Sequence, residues 1–311
     1  MNAYLETTKN FTLGALPDLD VVTRAALELF SEAKLPAVDY QHYKRPLVVG
    51  SGNAAVVGTL LFDDSDAVFA DESSYMSKIA AVANIDGAFL ISASGSKHAI
   101  AIAQDLKNRG IKTTLLTNNQ DAPAKEILGA SDVLVFPKNR EPYTYNASTY
   151  MGILLSKTSE DSKIIAEFIE SKVLPLIPKN LASYSAFYFI VPEAFTQMRE
   201  MFQTKFNELF GPNLMARVFT LEQTKHAKTV IPLEGELFVC FGVKNTTFGD
   251  PKNRLYIPLP EGVDYVAMMA IGYVFIGNIQ KQLPPYYKER IEAYCKETSD
   301  MFGSTISPIV E

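Results

Sequence analysis

Between Arg45 and Pro137, short aliphatic and β-branched runs alternate with helix-like segments, and this alternation constrains the fold more than any single motif. The order is RPLVVG, NAAVVGTLLF, DAVFA, SSYMSKIAAVA, GAFLIS, SKHAIAIAQDLKNRG, KTTLLT, DAPAKEILGA and DVLVFP, strand and helix in turn. Uninterrupted apolar strands joined through amphipathic helices require right-handed crossovers and a parallel sheet covered on both faces. The expected fold class is α/β, a doubly wound parallel sheet. Gly110, just before a new strand, marks a helix C-terminus. An earlier helix is expected near Asp20–Glu32.

A second unit is expected after the proline-punctuated stretch KVLPLIPKN, giving domains 1–175 and 176–311. With 311 residues, 47% of them hydrophobic, the chain can bury two ordinary cores. YSAFYFIV restarts a strand, and Phe195, Met198, Phe202, Phe206 and Leu209 recur at helical spacing as one apolar stripe. The link KNTTFGDPKN between GELFVCFGV and RLYIPLP is too short for a crossover helix. The second domain is therefore expected to be abbreviated or locally antiparallel. The run from Tyr265 to Gly277 falls short of the ~20 residues that span a bilayer, and reads as a buried helix.

A net charge of −6 argues against a broad surface for nucleic acid or anionic lipid. Cys240 and Cys295 make no disulfide framework, and the N-terminus has neither the basic start nor the apolar core of a signal peptide. A cytoplasmic protein without nucleic-acid or membrane partners is expected. His42, His98 and His226 are the only histidines, and no H-E-x-x-H occurs, so no metal is expected.

Two strand-to-helix turns carry the chemistry. VVGSGNAAVVG satisfies G-x-G-x-x-A through Gly50, Gly52 and Ala55, with Asp71 and Glu72 about 20 residues on, which taken alone suggests a nicotinamide dinucleotide. FLISASGSKHAIAIA places Ser92, Ser94 and Ser96 where the third strand meets its helix. The first N–H groups of a helix lack intrahelical partners and sit at the positive end of its dipole, so hydroxyls there can close around an anion. Gly95 permits close backbone approach, and the N–H groups of Ser96 and Lys97 add donors. A dinucleotide needs no second cradle of this kind; two such turns favour a compact phosphorylated ligand, with no cofactor.

ISASGS resembles the S-x-S-G-[x]-T signature of sugar isomerase (SIS) domains, VGSGNA their first glycine-serine turn, and YNASTY their A-S-T-K segment. Lys97 stands in place of the signature threonine and Tyr150 in place of the lysine. The resemblance implies a flavodoxin-like SIS domain followed by a second SIS-like domain. It implies that Ser92, Ser94, Gly95, Ser96 and Lys97 hold a sugar phosphate, helped by Ser148 and Thr149, with Ser51 or Asn53 on the sugar. QTKFNELFG resembles the helix end that carries the family's base, placing it at Glu208. ARVFTLEQTKHA resembles the segment with the ring-opening histidine, placing that role at His226, with Ala227 where glycine or asparagine is usual. The implied protein is a homodimeric phosphosugar isomerase that interconverts an aldose and a ketose phosphate through an enediol, with His226 reaching a neighbouring subunit's site. A fructosamine-phosphate deglycase and a catalytically silent sugar-phosphate-binding regulator are the alternatives.

Overall fold

The computed structural model describes residues 3–311. Helices α1 (Ala3–Lys9) and α2 (Leu19–Phe30) precede the first strand. Strand β1 (Pro46–Gly50) leads into α3 (Asn53–Leu61), and β2 (Val68–Ala70) into α4 (Tyr75–Ala81). Likewise β3 (Gly87–Ile91) feeds α5 (His98–Asn108), β4 (Thr113–Thr117) feeds the one-turn α6 (Lys125–Leu128), and β5 (Val133–Val135) closes the series. Strand β6 (Glu141–Pro142), α7 (Ala147–Leu155) and α8 (Ser162–Phe168) follow. The second series comprises β7 (Ala186–Val191), α9 (Arg199–Phe210), β8 (Met215–Thr220), α10 (Leu221–Lys225), β9 (Glu236–Phe241) and β10 (Arg254–Ile257). Helices α11 (Tyr265–Gln282) and α12 (Tyr286–Phe302) and strand β11 (Ile309–Val310) end the chain.

The chain divides into two compact units, one of residues 33–138 and 149–159, the other of residues 1–32, 139–148 and 160–311. Residue 175, where the sequence suggests a boundary, lies inside the latter, which also takes in α1 and α2.

In the first-sheet unit the strand order is β2-β1-β3-β4-β5, with every neighbouring pair parallel. Strands β1 and β3 are buried along their whole length, which is why they read as unbroken apolar runs rather than alternating ones. Phe89, Leu90 and Ile91 are each 1% exposed, and burying a side chain of this kind stabilises by roughly 1.5–3 kcal/mol. Leu90 packs with Ile102, Ala103 and Leu106 of α5 on one face, while Phe89 meets Phe62 at 4.7 Å between ring centroids on the other. Strand order reverses between β1 and β3. Their following helices therefore diverge and leave a crevice beyond the C-terminal strand ends, the place where open α/β sheets bind ligands.

In the second-sheet unit the order is β10-β9-β7-β8, and all pairs, β9–β10 included, are parallel. The antiparallel pairing considered across the KNTTFGDPKN link is not found, since β9 and β10 are parallel, although β6 and β11 of this unit form a short antiparallel pair; the abbreviation is found, since the four-stranded sheet repeats the order of the first with one strand fewer. The link 242–253 reverses direction without a crossover helix because side chains satisfy its backbone. Asn245 Oδ1 accepts from the N–H groups of Thr247 and Phe248, and Arg254 donates to the carbonyls of Thr247, Phe248 and Gly249. Helix α11 is buried from Val266 to Gly277, as expected. Its first N–H groups meet the Glu160 carboxylate, which accepts from Asp264, Val266 and Ala267 at 2.8–3.0 Å. Among the described residues no helix is long and apolar enough to cross a membrane.

Candidate functional site

The turn after β3 is fixed through its carbonyls. Ala93 O accepts from Asn118 N and Thr117 Oγ1, Ser94 O from Asn119 Nδ2, and Gly95 O from Ala124 N, all at 3.0 Å. These carbonyls are thereby tied to the end of β4 and the loop after it. Ser94 Oγ and Ser96 Oγ bond to each other at 2.7 Å, and Ser92 Oγ accepts from Gly95 N at 3.2 Å, which leaves its own proton to donate. Gly95 has φ +59°, and a Cβ there would lie 2.5 Å from the Ala122 methyl, so no other residue fits without shifting the loop.

Two helix N-termini converge here. Gly52, before α3, has φ +55° and ψ −128°; Lys97, before α5, has φ +51° and ψ −121°. The two turns thus share one backbone conformation, supplied by glycine in the first and by a strained lysine in the third. Lys97, expected within the first helical turn, stands at the cap itself. A cavity of about 120 Å3 lies between the turns, lined by Gly50, Ser51, Ser92, Ser94, Ser96 and Lys97 among others, at the β1/β3 switch point. Tyr150 and His98 line it as well. Sequence reasoning marked Tyr150 only as the residue in place of a lysine. Asn53, the first residue of α3, is 6% exposed, and neither Nδ2 nor Oδ1 has a hydrogen-bond partner among the described residues.

Ser148 and Thr149 line neither this cavity nor the larger one described below. Both are buried, and the Ser148 hydroxyl accepts from Asn139 N and donates to Glu141 Oε1. Glu141 Oε2 also accepts from Ala147 N at 2.8 Å and Ser148 N at 3.4 Å. The N-terminus of α7, which the A-S-T segment was expected to offer to a ligand, thus holds the chain's own carboxylate. Asp71, the acid the dinucleotide pattern requires, is similarly occupied. Hydrogen bonds from the Ser74 and Ser73 hydroxyls and backbone hold its carboxyl down to about 2.

Glu208, in the last turn of α9, belongs to the second-sheet unit and lines a cavity of about 500 Å3 there. Its Oε2 lies 2.5 Å from Lys205 Nζ, and that fully buried ammonium also donates to Thr144 O. Burial pushes the Glu208 carboxyl up, and the Lys205 charge pulls it part of the way back. His226 is exposed, follows α10, and lines neither cavity. Glu222 pairs with Lys225. Ala227 has φ +59°, the left-handed conformation that glycine and asparagine adopt most readily and that those residues would serve at this position. Among the described residues no group of three or more metal-ligating side chains assembles.

No family model matches the chain, and no curated protein does. Solved structures do. A hypothetical protein from Thermus thermophilus aligns with a TM-score of 0.65 at 12% identity, over 97% of this chain and 94% of that one. A tagatose-6-phosphate ketose/aldose isomerase from Escherichia coli aligns with a TM-score of 0.57 at 11% identity, over 87% and 89%. Glucosamine-6-phosphate deaminase from Thermotoga maritima gives 0.56 at 14% identity, over 90% and 93%. At such identities the likeness is one of fold: the chain has the two-sheet α/β architecture of the sugar isomerase (SIS) proteins that its turn motifs resemble.

Proposed function

We propose that this protein is a phosphosugar isomerase that interconverts an aldose and a ketose hexose phosphate through an enediolate. The observation that carries this reading is the cavity at the β1/β3 switch point. Two helix N-termini, Ser92, Ser94, Ser96 and Lys97 line one small space, and among its described lining residues there is no carboxylate. A phosphate dianion gains roughly 0.3–1 kcal/mol from each helix terminus. Each charge-assisted hydrogen bond adds about 1.5–3 kcal/mol. Two structural neighbours, a tagatose-6-phosphate ketose/aldose isomerase and a glucosamine-6-phosphate deaminase, act on sugar 6-phosphates and support the same ligand class.

In this reading Ser51 and Asn53 meet the sugar. Glu208 takes the proton from C2 of the aldose and returns it to C1, and the carbonyl and hydroxyl exchange places. Burial suits the carboxylate to this task, because a raised pKa makes it a stronger base than an exposed glutamate. His226 opens the ring; its exposure fits a role in the site of a second copy of the chain in a homodimer.

The test is exchange of the C2 proton of hexose 6-phosphates in deuterated water, for the wild type and Glu208→Gln. Exchange slowed by ~10²–10⁴-fold in the variant is expected for loss of the general base. Phosphosugar binding without exchange in the wild type would make the protein a binding regulator instead.

A further inference from the structure

The cavity at the β1/β3 switch point also holds a side chain with no task so far. His98, the first residue of α5, lines it next to Lys97. Of the chain's three histidines, all among the described residues, it alone lines either cavity. Resting on the reading that a hexose 6-phosphate seats its ester there, we infer that His98 is the acid that protonates the ring oxygen when the sugar ring opens.

Ring opening moves two protons. One leaves the anomeric hydroxyl as its oxygen becomes the carbonyl; the bond from the anomeric carbon to O5 breaks, and O5 takes the other. His226, placed at the anomeric hydroxyl, leaves the ring oxygen to a second group. That oxygen is O5 in both sugars, the aldopyranose and the ketofuranose. It joins the phosphorus through C5, C6 and O6, and four single bonds reach at most about 5 Å. An ester seated among Ser92, Ser94, Ser96 and Lys97 therefore keeps O5 beside the same turn, and the acid for O5 has to come from the side chains around it. Serine hydroxyls, an ammonium and the phenol of Tyr150 are the other proton carriers lining the cavity. Groups of those types keep their protons at neutral pH, whereas an imidazolium releases its proton there. A bound phosphate dianion favours the protonated imidazole beside it, so the substrate charges the acid that it needs. His98 regains the proton when the product ring closes, and none is consumed.

The experiment follows exchange of the C1 protons in deuterated water for fructose 6-phosphate and for 5-deoxyfructose 6-phosphate, which lacks O5 and has no ring to open. In His98→Gln, kcat for fructose 6-phosphate is expected to fall at least about tenfold, short of the ~10²–10⁴ usual for a lost acid because the ring also opens unaided in water. The same variant should exchange the 5-deoxy compound at close to the wild-type rate, a result that damage to folding or to ester binding would not give. Equal loss on both substrates in His98→Gln and in His98→Asn, or no loss on either, overturns the inference and leaves the phosphosugar reading standing. A wild-type protein that exchanges neither substrate overturns the isomerase reading, and the inference with it.

Discussion

Replacing Lys97 with glycine should stabilise the free protein and weaken its hold on a phosphorylated sugar. The lysine occupies φ +51°, ψ −121°, within a few degrees of Gly52 at the equivalent cap of α3. Holding a residue with a Cβ in such a conformation costs on the order of 1–3 kcal/mol, while glycine loses about 0.4–1 kcal/mol more backbone entropy on folding. The difference is a net gain of about 0.5–2 kcal/mol. For a cooperative unit of ~150–250 residues each kcal/mol raises Tm by about 2–4 °C, so scanning calorimetry of the ligand-free variant should show a rise of roughly 1–8 °C. The ammonium is lost at the same time. One charge-assisted contact of about 1.5–3 kcal/mol corresponds to a ~10–150-fold weaker Kd for fructose 6-phosphate. Gains and losses of opposite sign are what a strained residue retained for binding should show. A variant that melts earlier would refute the strain, and one that binds the ester as tightly as the wild type would refute the contact.

Gly95→Ala should lower stability by about 1–3 kcal/mol in a denaturant titration, because the new methyl would sit 2.5 Å from Ala122 Cβ at a positive φ; phosphosugar binding should fall with it. Glu141→Gln leaves the Ala147 and Ser148 amides facing an uncharged group that is itself a donor, and should cost about 1–3 kcal/mol in the same assay. Burial keeps the Glu208 proton on to higher pH than the ordinary 4.5. The acid limb of kcat/KM is therefore expected above that value, with activity rising as pH climbs through the raised pKa. An acid limb at or below 4.5 would remove Glu208 from the chemistry. The same shift has the opposite consequence for stability. The part linked to this proton is complete below the unfolded value and is lost as pH rises through the folded one.

The first sheet was legible because strands β1 and β3 are buried on both faces, which leaves a continuous apolar run in the chain. The serine turn was legible for a related reason, since small hydroxyl residues between a buried strand and a helix have few other uses. Long-range satisfaction of polar groups was not legible. Glu141 reaches the N-terminus of α7 from six positions before Ala147, and pairs through β6 with a strand at the far end of the chain; neither relation has a local pattern. For the same reason Ser148 looked available to a ligand when its hydroxyl is held by Asn139 and Glu141. The parallel β9–β10 pair was hidden because its link is stabilised by Arg254 and Asn245 side chains and contains no crossover helix. Lys97 could be placed at the start of α5 from sequence, but a lysine at positive φ runs against residue preference and is visible only in the backbone.

Parallel calorimetric titrations of the wild type and Ser94→Leu with fructose 6-phosphate and with fructose bear most directly on the cavity at the β1/β3 switch point. Tight binding of the phosphate ester, with fructose bound at least about 100-fold more weakly and the ester's affinity lost in Ser94→Leu, is the outcome expected of an anion held by two helix termini and three serines. Equal affinity for the two sugars, or a Ser94→Leu variant that binds the ester as before, would contradict it.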